Sequence, residues 1–295
     1  MQKRKIAQKT ASVLLALLLM LMPVGVLAEG TSFTCYGNDL NSDQYQLVLS
    51  LLGSDYANDT FIPVTIEDER ALLGDVVSAD KIGSRSLSSA RVTLLDAGSG
   101  ISVTTHNINW VTPAMYSSAL ITAGVQDAKI VVAAPMEVSG TAALAGILKA
   151  YESASAEEIS DLARSVAGSE MVITGELSEI IGSEEAVELL AMVKQAIADY
   201  DLDDYDTLRP YVEQGAYQLG VQLDDDQIDQ ITNLGVRIAK LDLDPQQLSQ
   251  QLSGIVDNLQ KIRLAQEKTQ SLLDQLIGMV QKILDWFYRL FGAKI

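Results

Sequence analysis

His106 is the only histidine in the sequence, Cys35 is the only cysteine, and Asp199, Asp201 and Asp203 alternate through a short acidic run; these side chains have the most chemistry to offer. A Ser-His-Asp triad would have to run through His106. It stands among Thr104, Thr105, Asn107 and Asn109 at the end of a predicted strand, and no G-x-S-x-G elbow accompanies it. His106 is therefore a candidate catalytic or ligand-contacting residue, with Trp110 close by in sequence, set against a structural role bridging a strand end and a helix cap. One histidine and one distant cysteine leave too few good ligands for zinc. A lone cysteine cannot form an intramolecular disulfide, so stability must come from packing, and a buried thiol behaving as a small apolar group is expected ahead of an intermolecular bridge or a reactive thiol.

Ser139-Gly140-Thr141 follows a predicted buried strand and opens a helix. Backbone N–H groups and the helix dipole at such a turn could hold a phosphate or carboxylate, although a plain N-cap explains Ser139 equally well. Asp199, Asp201 and Asp203 repeat the alternation of the first three EF-hand ligands and are the candidate metal site, for Ca2+. The match then fails, with Asp204 where a glycine should turn the loop and Pro210 where a bidentate glutamate should close it. A solvated acidic linker and helix cap is the competing reading. With 39 acidic residues, chance pairs are inevitable and sequence cannot rank carboxylate pairs for glycan hydrolysis.

The elements that must position these groups are well punctuated. Asn41 caps a helix, Gln44 completes a capping box, Leu40 and Tyr45 form a hydrophobic staple, and Gly53 ends the helix. Residues 61–66 read as a strand whose Pro63 argues for a sheet edge, followed by a short helix over about 68–73 that Gly74 stops. Residues 91–96 and 101–108 are β-rich runs separated by Ala97-Gly98-Ser99-Gly100, which predicts a hairpin. Thr112 and Pro113 start a helix that Gly124 stops, and residues 129–134 then read as a strand covered on both faces. Strand, helix, strand in this order predicts a right-handed parallel crossover. A helix to about Tyr151 follows, then an acidic helical region with a Ser155–Glu158 capping box, breaks at Gly168 and Gly182, a helix from Ser183 to about Ala198, and a stripe of Ile228, Ile231, Leu234 and Ile238.

The last fifty or so residues carry a separate signal. After Asp244 and Pro245, a 4-3 spacing runs through Leu248, Leu252, Ile255, Leu259, Ile262, Leu273, Leu276, Val280, Ile283, Phe287 and Leu290, broken only at Gln266 and Thr269. A 3.5-residue period keeps one seam facing a partner, so a coiled coil or a helical hairpin is expected, the polar break being the place for a turn. Trp286, Phe287, Tyr288 and Phe291, with Lys282, Arg289 and Lys294, also suit a membrane surface, against a simple completion of the seam. Residues 248–291 are thus the expected surface for self-association or membrane contact.

At the other end, Lys3, Arg4 and Lys5 lead into an apolar run over 11–22, interrupted by Pro23 and closed by Val26-Leu27-Ala28. This is the pattern of a secretory signal cleaved after Ala28, and the run is short for a membrane span. Export excludes nucleotides and tRNA as first guesses. Cleavage would leave 267 residues, with 39 acidic side chains against 17 basic ones (21 less Lys3, Arg4, Lys5 and Lys9), a net charge of −22. Such a surface repels nucleic acid and could attract metal cations or basic proteins. Acids outnumber bases by 13 to 6 over residues 29–151 and by 26 to 11 over 152–295, which suggests two regions. The expected organisation is a signal peptide over 1–28, a domain over 29–243 with an acidic helical second half, and a heptad segment over 244–295. The expected fold class is α+β: a small mixed β-sheet with a hairpin and a βαβ crossover, helices packed on it, and a C-terminal heptad helix or hairpin.

From about Phe33 to Leu241 the order of motifs resembles the DUF1002 family of secreted, YpuA-like proteins of Gram-positive bacteria. The residues that carry the resemblance include Phe33-Thr34-Cys35-Tyr36-Gly37, Gly83-Ser84-Arg85, Thr105-His106-Asn107-Ile108-Asn109-Trp110-Val111-Thr112, Val132-Ala133-Ala134-Pro135, Ser139-Gly140-Thr141-Ala142 and Val172-Ile173-Thr174-Gly175-Glu176-Leu177. The heptad tail lies outside this resemblance. It implies an exported envelope protein of unknown function and supplies no catalytic residue or ligand. The expected function is non-catalytic binding or scaffolding, with an envelope protein or cell-wall component as partner and no nucleic acid; the alternative is a cell-wall hydrolase with its site near His106 and Trp110.

Overall fold

Strand-forming residues fall in five runs, and these build one mixed sheet: β1 (Ser32–Gly37), β2 (Thr60–Val64), β3 (Ser89–Leu94), β4 (Ile101–Ile108) and β5 (Ala128–Val138), in the spatial order β2-β1-β3-β5-β4. The computed structural model describes residues 32–73, 84–156 and 158–291, with side chains as far as Lys282. The predicted leader, the Gly74 stop, Gly83 and the side chains of the C-terminal aromatic cluster lie outside the described residues.

Two parallel crossovers frame the sheet. β1 and β2 are parallel and joined through α1 (Ser42–Leu52), and β4 and β5 are parallel and joined through α3 (Pro113–Thr122), the crossover expected from sequence. Pro63, which has no N–H to give a ladder, sits in edge strand β2 as anticipated. The predicted hairpin does not form. β5 inserts between β3 and β4, antiparallel to the first (Arg91↔Val131) and parallel to the second (Val103↔Ile130). β5 is rich in Ile, Val and Ala, and a place inside the sheet hydrogen-bonds its backbone on both edges while burying Ile130 and Val132. α1 covers the outer face of β5, where Val48 and Leu52 meet Ala133.

On the inner face lie α3 and α4 (Thr141–Ser155), and behind them α5 (Asp161–Ile181) and α6 (Ser183–Tyr200). The short helix α2 (Ile66–Leu73) packs on α4 and α5, and α7 (Tyr205–Leu219) and α8 (Asp225–Ala239) close a bundle on α6. Ser160, rather than Ser155, caps α5, because Ser155 still belongs to α4. Gly168 does not break α5; an added Cβ there would meet Leu73 Cδ2 at 2.9 Å and Leu72 O at 3.0 Å, so the glycine serves a close crossing with α2. The stripe on α8 is as expected, with Ile231, Leu234 and Ile238 buried.

The final helix, α9 (Pro245–Phe291), runs unbroken through the polar positions where a turn was a possibility: Thr269 donates its hydroxyl to Ala265 O within the helix, at 2.8 Å. Its first four heptad residues, Leu248, Leu252, Ile255 and Leu259, enter the main core.

Cys35 is fully buried, donates its S–H to Gly146 O at 2.9 Å, and has its thiol pushed up to about 12, chiefly by burial. As a thiolate is the reacting form, a thiol-specific disulfide reagent at neutral pH should leave the native protein unlabelled and modify one thiol per chain in denaturant. Prompt reaction of the native protein would contradict the packing around β1.

Candidate functional site

The densest polar chemistry lies in the core, where sequence reading did not look. Ser118 and Thr122 stand one turn apart on α3, and both donate to Glu170 of α5, Ser118 at 2.5 Å. Lys194 of α6 donates to Glu170 Oε1 at 2.6 Å and to Ser118 Oγ and O at 2.9 Å, using all three ammonium protons. Glu170 and Lys194 are both sealed from solvent. Burial pulls the Lys194 ammonium below its ordinary value, while the Glu170 carboxylate works in the opposite sense. A serine beside a lysine is the makings of a nucleophile and its base, but with no solvent route to Ser118 the group works as a structural clamp joining α3, α5 and α6. One signal was available: Lys194 continues the apolar stripe of Val187, Leu190 and Ala191, where a charge must find a buried partner.

A second buried acid sits at the predicted anion site. Gly140 precedes α4 with φ +95°, a left-handed conformation suited to glycine, and an added Cβ would meet Tyr116 Oη at 2.5 Å. Tyr116, buried, donates its hydroxyl to Gly140 O at 2.5 Å. Ser139 does not cap the helix; its hydroxyl lies 3.3 Å from that of Thr141. Thr141 instead donates to Glu69 of α2, at 2.5 Å, so the carboxyl group met by this turn is the chain's own. Burial pushes Glu69 up to about 7, with Thr141 and Arg70 pulling the other way.

His106 and Trp110 are kept apart. His106 is exposed on β4 and pairs with Ala133, on the α1 face of the sheet. A bulge follows, in which Asn107 takes φ +59° and donates its side-chain amide to Ala134 O at 2.8 Å. This extra residue turns Ile108 back toward the core, off the face it would share with His106 by strict alternation. Trp110 lies over α5, where a Cβ on Gly175 would overlap its ring, and gives its indole N–H to Glu179 at 2.9 Å.

The acidic run takes capping work. Asp199 accepts from Gln195 at 2.7 Å, Asp201 ends α6 with φ +53°, and Asp204 caps α7 through Thr207 N–H. Among the described residues no three histidine, cysteine or carboxylate side chains converge in a metal-holding group. Two open grooves flank α9. One of about 560 Å³ lies against β4 and α3 and is lined in part by Ile101, Val103 and Ile262, and one of about 420 Å³ presents Tyr200 and Tyr211, with ring centres 5.5 Å apart. Neither is lined by His106, Trp110 or Ser139.

Beyond these grooves α9 leaves the body. Arg263 pairs with Glu184 and Glu188 of α6, and Gln266 donates to Glu184 at 3.0 Å, the last hydrogen bond between α9 and another element among the described residues. Farther along, Leu272, Leu273, Leu276, Ile277, Met279 and Val280 are all about half exposed.

A mixed sheet packed against helices, with buried acids tied into its core and a long final helix, defines an α+β protein. A family model described as "Protein of unknown function (DUF1002)" matches residues 36–255. The chain is 38% identical over 282 residues to the uncharacterized protein YpuA of Bacillus subtilis (strain 168), covering 94% of each. It belongs to the DUF1002 family. No solved structure matches it. The likeness to YpuA also reaches past the point where the tail was expected to diverge: 6% of 295 residues is about 18, fewer than the 40 that follow Ile255, so part of α9 beyond the family match is shared.

The buried pair sets one expectation. Lys194→Met should destabilise the fold by about 3–5 kcal/mol in urea unfolding, because Glu170 is left buried and unpaired, whereas Lys194→Met with Glu170→Met should cost less than either single change. Glu69 sets another. Its native pKa is raised above the ordinary 4.5, so between about pH 4.5 and 7 the native state holds a proton the unfolded chain has released. The resulting stabilisation is complete below 4.5 and lost as pH rises through 7. Glu69→Gln, which cannot titrate, should therefore gain about 3 kcal/mol relative to the parent between about pH 4.5 and 8.

Proposed function

We propose that this is an exported, non-catalytic binding or scaffolding protein of the cell envelope, with the outer half of α9 as its docking element. The observation that carries the reading is the contrast within one helix. Leu248, Leu252, Ile255 and Leu259 are buried, while the apolar residues from Leu272 to Val280 have no cover. A stripe of that size in water is the mark of an interaction surface. Export is supported by the leader pattern, and every described element lies C-terminal to Ala28, so cleavage there would remove none of them. The hydrolase alternative loses support from the separation of His106 and Trp110, which belong to opposite sides of the sheet.

The chain from Glu29, incubated with purified cell wall, should release no soluble muropeptides above a blank, and His106→Ala should change neither that result nor the melting temperature. Muropeptide release that disappears in His106→Ala would establish the hydrolase instead. Fractionated cells should hold the processed chain, beginning at Glu29, outside the cytoplasm.

A further inference from the structure

The free part of α9 has a shape that selects among partners. At 100° per residue, Leu272, Leu273, Leu276, Ile277, Met279 and Val280 occupy an arc of about 160°. Leu273, Leu276 and Val280 are the heptad seam and span only about 60° of it. Leu272, Ile277 and Met279 fall at the flanking positions that a two-stranded coiled coil fills with charged residues. One partner helix covers the seam and leaves both flanks wet, whereas a flat apolar medium covers the whole arc. Of the charges, Lys268 borders the arc and Glu267 lies opposite it, while Asp274 and Lys282 each fall about 60° beyond its two edges.

Charge also separates the arm from the body. Residues 260–295 carry six basic and three acidic side chains, net +3, so the remaining residues of the −18 chain carry −21. From Leu264 to Phe291 the helix extends about 40 Å, several times the screening length of about 8 Å at physiological salt, so the arm can reach an anionic surface that the body would be repelled from. Among the described residues no helix is long and apolar enough to cross a membrane, so a bilayer would be met at its surface.

We infer that the outer half of α9 docks on the surface of a lipid bilayer, its apolar arc sunk among the acyl chains and its lysines at the headgroups. This rests on the reading of α9 as the docking element and names what it docks on.

The test uses the chain from Glu29, which keeps every described element and lacks the apolar leader. It is sedimented with vesicles of phosphatidylcholine and phosphatidylglycerol, alongside a variant carrying Leu273→Gln, Leu276→Gln, Ile277→Gln and Val280→Gln. These side chains are exposed, so the variant should melt with the parent. The parent should partition onto vesicles, and the variant should do so at least roughly tenfold less. Equal binding by both would overturn the inference, since another surface would be responsible. A parent that ignores vesicles and oligomerises in light scattering, with an oligomer that the variant dissociates, would also overturn it, while leaving α9 as a docking element for a second copy. A parent that ignores vesicles and stays monomeric would remove both the lipid partner and the docking role of this face, without bearing on whether the protein is catalytic.

Discussion

Three of the helices on the inner side of the sheet are arranged around one ammonium group. Lys194 is fully buried, and its three protons all find acceptors within the core, taken from two helices at once, α3 and α5. This condition sets the separation of α3, α5 and α6 more narrowly than apolar contact would, because a hydrogen bond tolerates a few tenths of an ångström where a leucine slides. The small hydroxyl residues Ser118 and Thr122, one turn apart on α3, complete the carboxylate's coordination. Once these three helices are placed, α3 lies on β4, and α9 finds its groove against α3 and α6. The cost of such a pair makes it a weak source of stability, and its gain is in specifying one packing over neighbours of similar apolar area.

The second polar knot acts on the other end of the helical layer. Tyr116, Gly140, Thr141 and Glu69 join α3, the turn before α4, and α2 by two short hydrogen bonds. Here the group is a carboxyl that burial pushes up to about 7, so this region responds to pH near neutrality. Asp59 does comparable work outside the helical layer. Burial would raise its carboxyl, but Arg91 at 2.8 and 2.9 Å, Thr34 and the Asp55 N–H outweigh that and hold it low, pinning the loop before β2 to β1 and β3.

What sequence revealed and what it hid follow from the range of the forces involved. Caps at Asn41 and Thr112, the edge position of Pro63, the parallel crossover into β5 and the stripe of α8 are decided within a few residues, and all are as expected. The β3–β4 turn was also read correctly as a reversal, but whether two strands that reverse actually pair depends on a third strand some twenty residues away. Gly168 looked like a breaker because propensity is local, whereas its role is to let Leu72 and Leu73 come close. The candidate site residues show the same division. His106, Trp110 and Ser139 are near neighbours in sequence or predicted fold, yet a single bulge at Asn107 and one positive-φ glycine send them to different surroundings. The buried acids Glu69 and Glu170 were invisible among 39 carboxylates, since nothing in a carboxylate's own sequence window says that its partner is a threonine 72 residues on or a lysine 24 residues on.

The 4-3 repeat of α9 is continuous in spacing but changes in meaning along its length. Over the first four heptad residues the flanks are mostly polar, with Ser249, Gln251 and Asn258, and the one apolar flank, Val256, packs on the core, so a narrow seam meets the face that α3 and α6 offer. Burial of each leucine-sized side chain there is worth about 2 kcal/mol, enough to seat the helix. Past Arg263, whose guanidinium bridges to the acidic start of α6, the body ends and the flanking positions become Leu272, Ile277 and Met279. Had the outer half served only to extend a seam, those flanks would gain nothing by being apolar and would lower solubility. Their presence where the body offers no cover makes the width of the face, and not its period, the property that needs a partner.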